Sequence, residues 1–218
     1  MSMHLQKEIE KLKKMVLSLS AVVEDSVQKA VAAIETRDAA LAMEVIETDP
    51  EIDQAEIDVE EECLKILALH QPVAIDLRFI VAVLKMNNDL ERIGDLAVNV
   101  AKRASFVCRH ATIDAPSGFT PMARKTLEML RESLDALMNM DAERARHVLA
   151  ADDEVDNLNR EMFQKVFRAI RKNPENIEVL QSYLSATRYL ERIADCATNV
   201  AEDVIYMMEG RIVRHGTG

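Results

Sequence analysis

The sequence predicts an all-α protein built as two tandem three-helix bundles. Three observations predict it. Glycine and proline number only five each in 218 residues and Trp is absent, while 49% of the residues are apolar. That profile suits long helices over strands and turns. Apolar residues recur at steps of three and four through most of the chain, the period of a helix with one buried face. The second half of the chain repeats the first.

The first helix is marked by Leu5, Ile9, Leu12, Val16, Leu19, Val23, Val27, Ala30 and Ile34, one apolar stripe. Turn residues follow around Arg37 and Asp38. A second helix extends to about His70, with Pro50 as a point of bend or reset, and "HQP" at 70–72 stops it. The third spans about 74–109. Short turns between long helices predict an up-down-up bundle. "RHATIDAPSGFTP" at 109–121 contains two prolines and Gly118, and reads as the connection between domains 1–112 and 113–218. Helices are then expected at about 121–139, 141–172 and 175–209, with "KNP" as the last turn and Gly210 as the final cap.

The halves align residue by residue. Asp38 opens "DAALAMEVIETDPEID" and Asp141 opens "DAERARHVLAADDEVD", an offset of 103. Leu90–Ala101 and Leu190–Ala201 share nine of twelve residues at an offset of 100. Two bundles are therefore expected, related by a pseudo-twofold axis or stacked end to end.

The repeat carries a chemical pattern. Glu91, Asp95 and Asn99 are spaced four apart, as are Glu191, Asp195 and Asn199. Four residues turn a helix by about 400°, so each triplet lines one face. Carboxylates four apart repel by roughly 0.2–0.5 kcal/mol in a helix, so a duplicated arrangement asks for a compensating positive charge. Each second helix adds another such pair: Asp49 and Asp53, then Asp152 and Asp156. Counting from the turns puts these acids level with Glu91 and Glu191, and puts Asp25 and Glu128 at that height on the first helix of each bundle. Oxygen-only ligands favour Mg, Mn, Ca or Fe over Zn, and several on one face allow a multinuclear cluster. The alternatives are a solvated acidic face, or acids that merely sit near helix N-termini.

Other classes find less support. The formal charge is -11, which repels phosphate backbones and argues against direct nucleic-acid binding. Cys63, Cys108 and Cys196 are scattered and read as free thiols in a reducing compartment. "MSMHLQKEIEKLKKM" has no apolar signal core and no long apolar span occurs, so a cytoplasmic protein is expected. None of His4, His70, His110, His147 and His215 follows a glutamate by three, as a di-iron helical bundle would need. No phosphate loop or nucleophile motif is present, so no enzyme is expected. Met207 and Met208 are candidates for a partner surface.

At "HQPVAIDLRFIVAVLKMNNDLERIGDLAVNVAKR" and "YLERIADCATNVAED" the chain resembles the PhoU family of phosphate-specific transport accessory and regulatory proteins. The resemblance covers essentially the whole chain. It implies two similar three-helix bundles, a homodimer or higher oligomer, and no catalysis. It implies a negative regulator of the phosphate-starvation response that links the ATPase subunit of the phosphate ABC transporter to a sensor histidine kinase. Contact with a membrane would then come only through those partners. It also implies metal bound at Glu91–Asp95 and Glu191–Asp195, with the metal left open. One departure is Cys196, where the family often carries His; its counterpart Leu96 favours a packing role. Storage of metal or phosphate, or service to another phosphate carrier, are the competing functions.

Overall fold

The computed structural model describes residues 3–110 and 113–210. Among them are α1 (Met3–Thr36), α2 (Ala39–His70), α3 (Ala74–Arg109), α4 (Phe119–Asn139), α5 (Ala142–Lys172) and α6 (Ile177–Glu209), with a 3-10 turn at Pro174–Asn176 and no strand. The all-α expectation holds. The boundary expected between 112 and 113 adjoins residues 111–112, outside the described residues, as does His215. No helix is long and apolar enough to cross a membrane among the described residues.

The repeat extends to the turns. Asp38 caps α2 by accepting hydrogen bonds from the amides of Ala40 and Leu41, at 2.9 and 3.0 Å. Asp141 caps α5 in the same way, from Glu143 and Arg144, both at 3.0 Å. Each capping bond satisfies amides that the first helical turn leaves without partners. The residue before each cap, Arg37 or Met140, takes a left-handed conformation to end the preceding helix. Arg37 also donates to the carbonyls of Val107 and His110, closing the end of α3.

Pro50 does not reset the chain. α2 runs through it without interruption. A proline inside a helix loses one backbone bond and crowds the preceding turn. Here Val45 and Ile52, on either side, are 1% and 2% exposed, so core packing holds both segments in one helix.

Each bundle buries the stripes of its three helices, and α3 and α6 pack along each other to join the bundles. α1 also touches α4, while α2 and α5 lie on the outside. α3 and α6 run antiparallel. Lys85 Nζ reaches Asp203 Oδ1 at 3.4 Å, Asn199 donates to Asp89 at 3.0 Å, and His110 Nε2 lies 3.9 Å from Glu178. Residues advance on one helix as they retreat on the other. Side-by-side bundles related by a pseudo-twofold axis therefore replace the end-to-end alternative. The axis passes near the paired "LERI" segments, which brings both acid ladders to mid-height.

The bundles join through a core that includes Cys196, 2% exposed. Its thiol is pushed up to about 12 by burial and by the Asp89 charge, against the pull of Arg92. Cys196 packs in this core. Met207 is also core, at 1% exposed, so only Met208 is a surface residue of that pair.

Candidate functional site

Two acidic grooves lie on the molecule, one between α2 and α3 and one between α5 and α6. In the first, Asp49 and Glu91 are half-buried while Asp53 and Asp95 are exposed. Burial, then the charges of Asp53 and Asp95, push the Asp49 carboxyl above its ordinary value, with Lys102 opposing. Burial, then Asp95, Asp53, Glu56 and Asp49, do the same to Glu91. These four residues therefore feel one another across the groove. Asp49 and Asp53 sit well inside α2, beyond the first turn where a helix dipole acts, so the N-terminal alternative fails for them.

Gly94 lets the helices approach. A Cβ at this position would lie 3.0 Å from Ile52 Cδ1 and 3.1 Å from Cγ2. In the second groove the equivalent residues are Ala194 and Val155, one carbon moved from one helix to the other.

The second groove repeats the first with more cations. Burial, then Asp195, Asp156 and Asp153, raise the Asp152 carboxyl. Burial, then Asp195 and Asp156, raise Glu191, while Arg188 and Arg192 pull it down. Burial and Asp156 raise Asp195 against Arg192 and Arg92. Asp156 accepts from Arg160 at 3.2 Å. Carboxylates grouped this closely repel one another, so both grooves would gain from a bound cation.

Sequence reasoning missed Glu56. It is half-buried, accepts from Asn87 at 3.0 Å, and its carboxyl is raised by burial, Glu60 and Asp53. Its signal was present: Asp49, Asp53, Glu56 and Glu60 follow a helical stripe. The second bundle has Asn159 and Phe163 instead of Glu56 and Glu60. The grooves are thus unequal, and the first is the more acidic.

Other expected residues lie apart. Asp25 pairs with Lys29 at 2.7 Å, and that lysine also holds Glu44. Glu128 faces Lys125 at 3.6 Å, which also meets Glu154 at 2.9 Å. Neither acid enters the charge network of a groove. Asn199 turns to Asp89 in the α3–α6 seam rather than to Asp195. Asn99 occupies the equivalent seam position, opposite Tyr189 by the same register.

The donors suit a hard cation by chemistry, being carboxylate oxygens with mutually raised affinity for positive charge. They are not preassembled: among the described residues, no three His, Cys, Asp or Glu side chains form a ready coordination site. Ligation would require carboxylates to rotate inward, which their exposure permits.

Two stretches, 16–104 and 119–204, each match the family model described as the PhoU domain. The chain belongs to the PhoU family. The PhoU homologue of Pseudomonas putida, named a phosphate-specific transport system accessory protein, is 36% identical over 95% of this chain and 82% of its own length. The Aquifex aeolicus homologue is 36% identical over 98% of this chain and 96% of its own. The crystal structure of PhoU from Pseudomonas aeruginosa superposes with a TM-score of 0.90 at 36% identity, covering 94% of this chain and 99% of that one. The two PhoU domains correspond to the two bundles, so the internal repeat read from the sequence is the family's own repeat.

Proposed function

We propose that this PhoU-family chain is a phosphate-signalling adaptor in the cytoplasm. It damps the phosphate-starvation response by linking the ATPase subunit of the phosphate ABC transporter to a sensor histidine kinase, and it works as a homodimer. The observation that carries the transport assignment is the pair of PhoU domains. The names of the relatives, accessory proteins of phosphate-specific transport, support it. In this reading the acidic grooves hold Mg, Mn or Fe through Asp49, Asp53, Glu91 and Asp95 and through Asp152, Asp156, Glu191 and Asp195. Bound metal would tie α2 to α3 and α5 to α6, fixing the surfaces offered to partners.

An adaptor also needs a contact surface, which a storage protein does not. Leu69, Val73 and Ile75, around the α2–α3 turn, are 68%, 73% and 58% exposed. Apolar side chains grouped at a tip favour protein association over storage. The test is a pull-down from phosphate-replete cells with a phosphate-starvation reporter read in parallel. Recovery of the transporter ATPase and kinase, with reporter activation on gene deletion, is the expected result. Abundant metal, neither partner recovered and an unchanged reporter would favour storage. For the metal, Glu91→Gln with Asp95→Asn should lower the bound Mn of the first bundle; unchanged metal content in a folded variant would return those acids to a solvated face.

A further inference from the structure

The pseudo-twofold axis relates the two ends of the α3–α6 seam, and there the symmetry of charge breaks. At one end Lys85 meets Asp203 at 3.4 Å and lies 4.9 Å from the Tyr206 ring, and Asp89 accepts from Asn199. The offset of 100 converts these residues, at the other end, into Ser185, Arg103, Phe106, Tyr189 and Asn99. Both carboxylates are gone, replaced by an arginine and a tyrosine. Asn88 becomes Arg188, and Arg192 matches Arg92. One end thus pairs Lys85 with Asp203 and Asn199 with Asp89; the other holds Arg103 and Arg188, with Glu178 as its seam carboxylate.

The cationic end is a concave surface. Ser185, Arg188, Tyr189 and Arg192 line a hollow of about 230 Å³. Arg103 lines the adjoining one with Phe106, Glu178, Gln181 and Ser182, and its Nε is buried without a hydrogen-bond partner. Arg188 and Arg192 lie near enough to Glu191 to pull its carboxyl down, yet neither donates a hydrogen bond to any described residue. The nearest carboxylates are Glu191 and Asp195, toward α5, and Glu178 beside Arg103. On a chain of net charge -11, three arginines grouped on one surface, two of them making no hydrogen bond to a described residue, are a local exception. Guanidinium pairs with tetrahedral oxyanions through two parallel N–H donors, and a tyrosine hydroxyl supplies a further donor.

We propose that this end of the seam binds a phosphate dianion, free or as the terminal group of a monoester. Arg188 and Arg192 would grip it, with Tyr189 and Arg103 donating from the seam. The site depends on arginines of this chain and does not rest on metal in the acidic grooves. It would place a phosphate group across the joint between the bundles.

The test is calorimetric titration of the full chain after EDTA treatment, at constant ionic strength, with inorganic phosphate in one arm and glycerol 3-phosphate in the other. Saturable binding of at least one is expected, and which one binds identifies the source. Arg188→Gln and Arg192→Gln should each weaken it roughly tenfold, the loss of one charge-assisted interaction. Tyr189→Asp, which restores the carboxylate of the opposite end, should abolish it. Arg188 and Arg192 are exposed and Tyr189 is half-buried, and an unchanged melting curve would confirm folding. Asn88→Arg at the opposite end should create no site, because Asp89 and Asp203 remain. Absence of saturable binding in both arms, or parental affinity in the arginine variants, would overturn the proposal.

Discussion

Gly94 and Ile52 offer a quantitative test of how the first acidic groove is held together. Gly94→Ala would place a methyl 3.0 Å from Ile52 Cδ1 and 3.1 Å from Cγ2. Cδ1 is the tighter contact, and because Ile52 is 2% exposed, turning that methyl aside displaces core neighbours. Overpacking of this kind costs ~1–3 kcal/mol. Alanine returns about 1 kcal/mol of helix propensity. The single variant should therefore lose about 1 kcal/mol. Ile52→Val alone should lose ~0.5–1.5 kcal/mol by removing a buried methyl. The double variant reproduces the Ala194–Val155 solution of the second bundle, so its methyl fills the space that valine leaves. It should match or exceed the parent, giving a coupling energy of about 2 kcal/mol. Urea unfolding of the four proteins measures it, with melting shifts of roughly 2–4 °C per kcal/mol as a check. Strict additivity, within about 0.5 kcal/mol, would refute the contact and the account of how α2 reaches α3.

Further outcomes follow from the same geometry. Asp49, Glu91, Asp152, Glu191 and Asp195 all have carboxyls raised in the folded state, so the folded chain holds more protons than the unfolded one across their titration range. Metal-free protein should thus gain stability as pH falls from neutral into that range. Glu62 acts in the opposite sense. Burial disfavours its charge, but hydrogen bonds involving Lys11, Glu8 and Lys65 hold it at about 2 instead of 4.5. Its contribution is present above 4.5 and lost as pH falls toward 2. Melting temperature should therefore peak in mildly acidic buffer, and Mn at neutral pH should raise it by replacing protons with metal; a monotonic rise from acid to neutral without metal would contradict this. The two caps should be equivalent: Asp38→Ala and Asp141→Ala are each expected to cost ~1 kcal/mol by chemical denaturation. Because Glu56 and Glu60 have no acidic counterparts in the second bundle, Mn should fill the first groove at lower concentration, which Glu56→Gln should reverse by isothermal titration.

The acid ladders were legible because a helix converts spacing into a face. Glu91 and Asp95 must lie on one side of α3 whatever it packs against. Their partners on α2 were legible as heights, since short turns fix the register of a helical hairpin. Asp25 and Glu128 share that height yet miss the grooves, because height does not fix the direction in which a helix presents its side chains. Of the bend or reset expected at Pro50, the reset does not occur, because burial of Val45 and Ile52 outweighs the local propensity for a break. Glu56 escaped notice because attention to pairs four apart hid a stripe with steps of four, three and four.

The sequence by itself determined six helices, their turns, their duplication and the identity of the acidic faces, all of which depend on neighbours along the chain. The tertiary structure alone decided how the bundles meet. Antiparallel pairing of α3 with α6 joins residues about a hundred positions apart, such as Lys85 with Asp203, and no periodicity encodes that choice. It decided that Cys196 packs, that Asn199 serves the seam, and that the arginines of α6 stand at the end of it where Asp89 and Asp203 have no acidic counterpart. Local spacing sets which side chains share a face; only packing sets what that face meets.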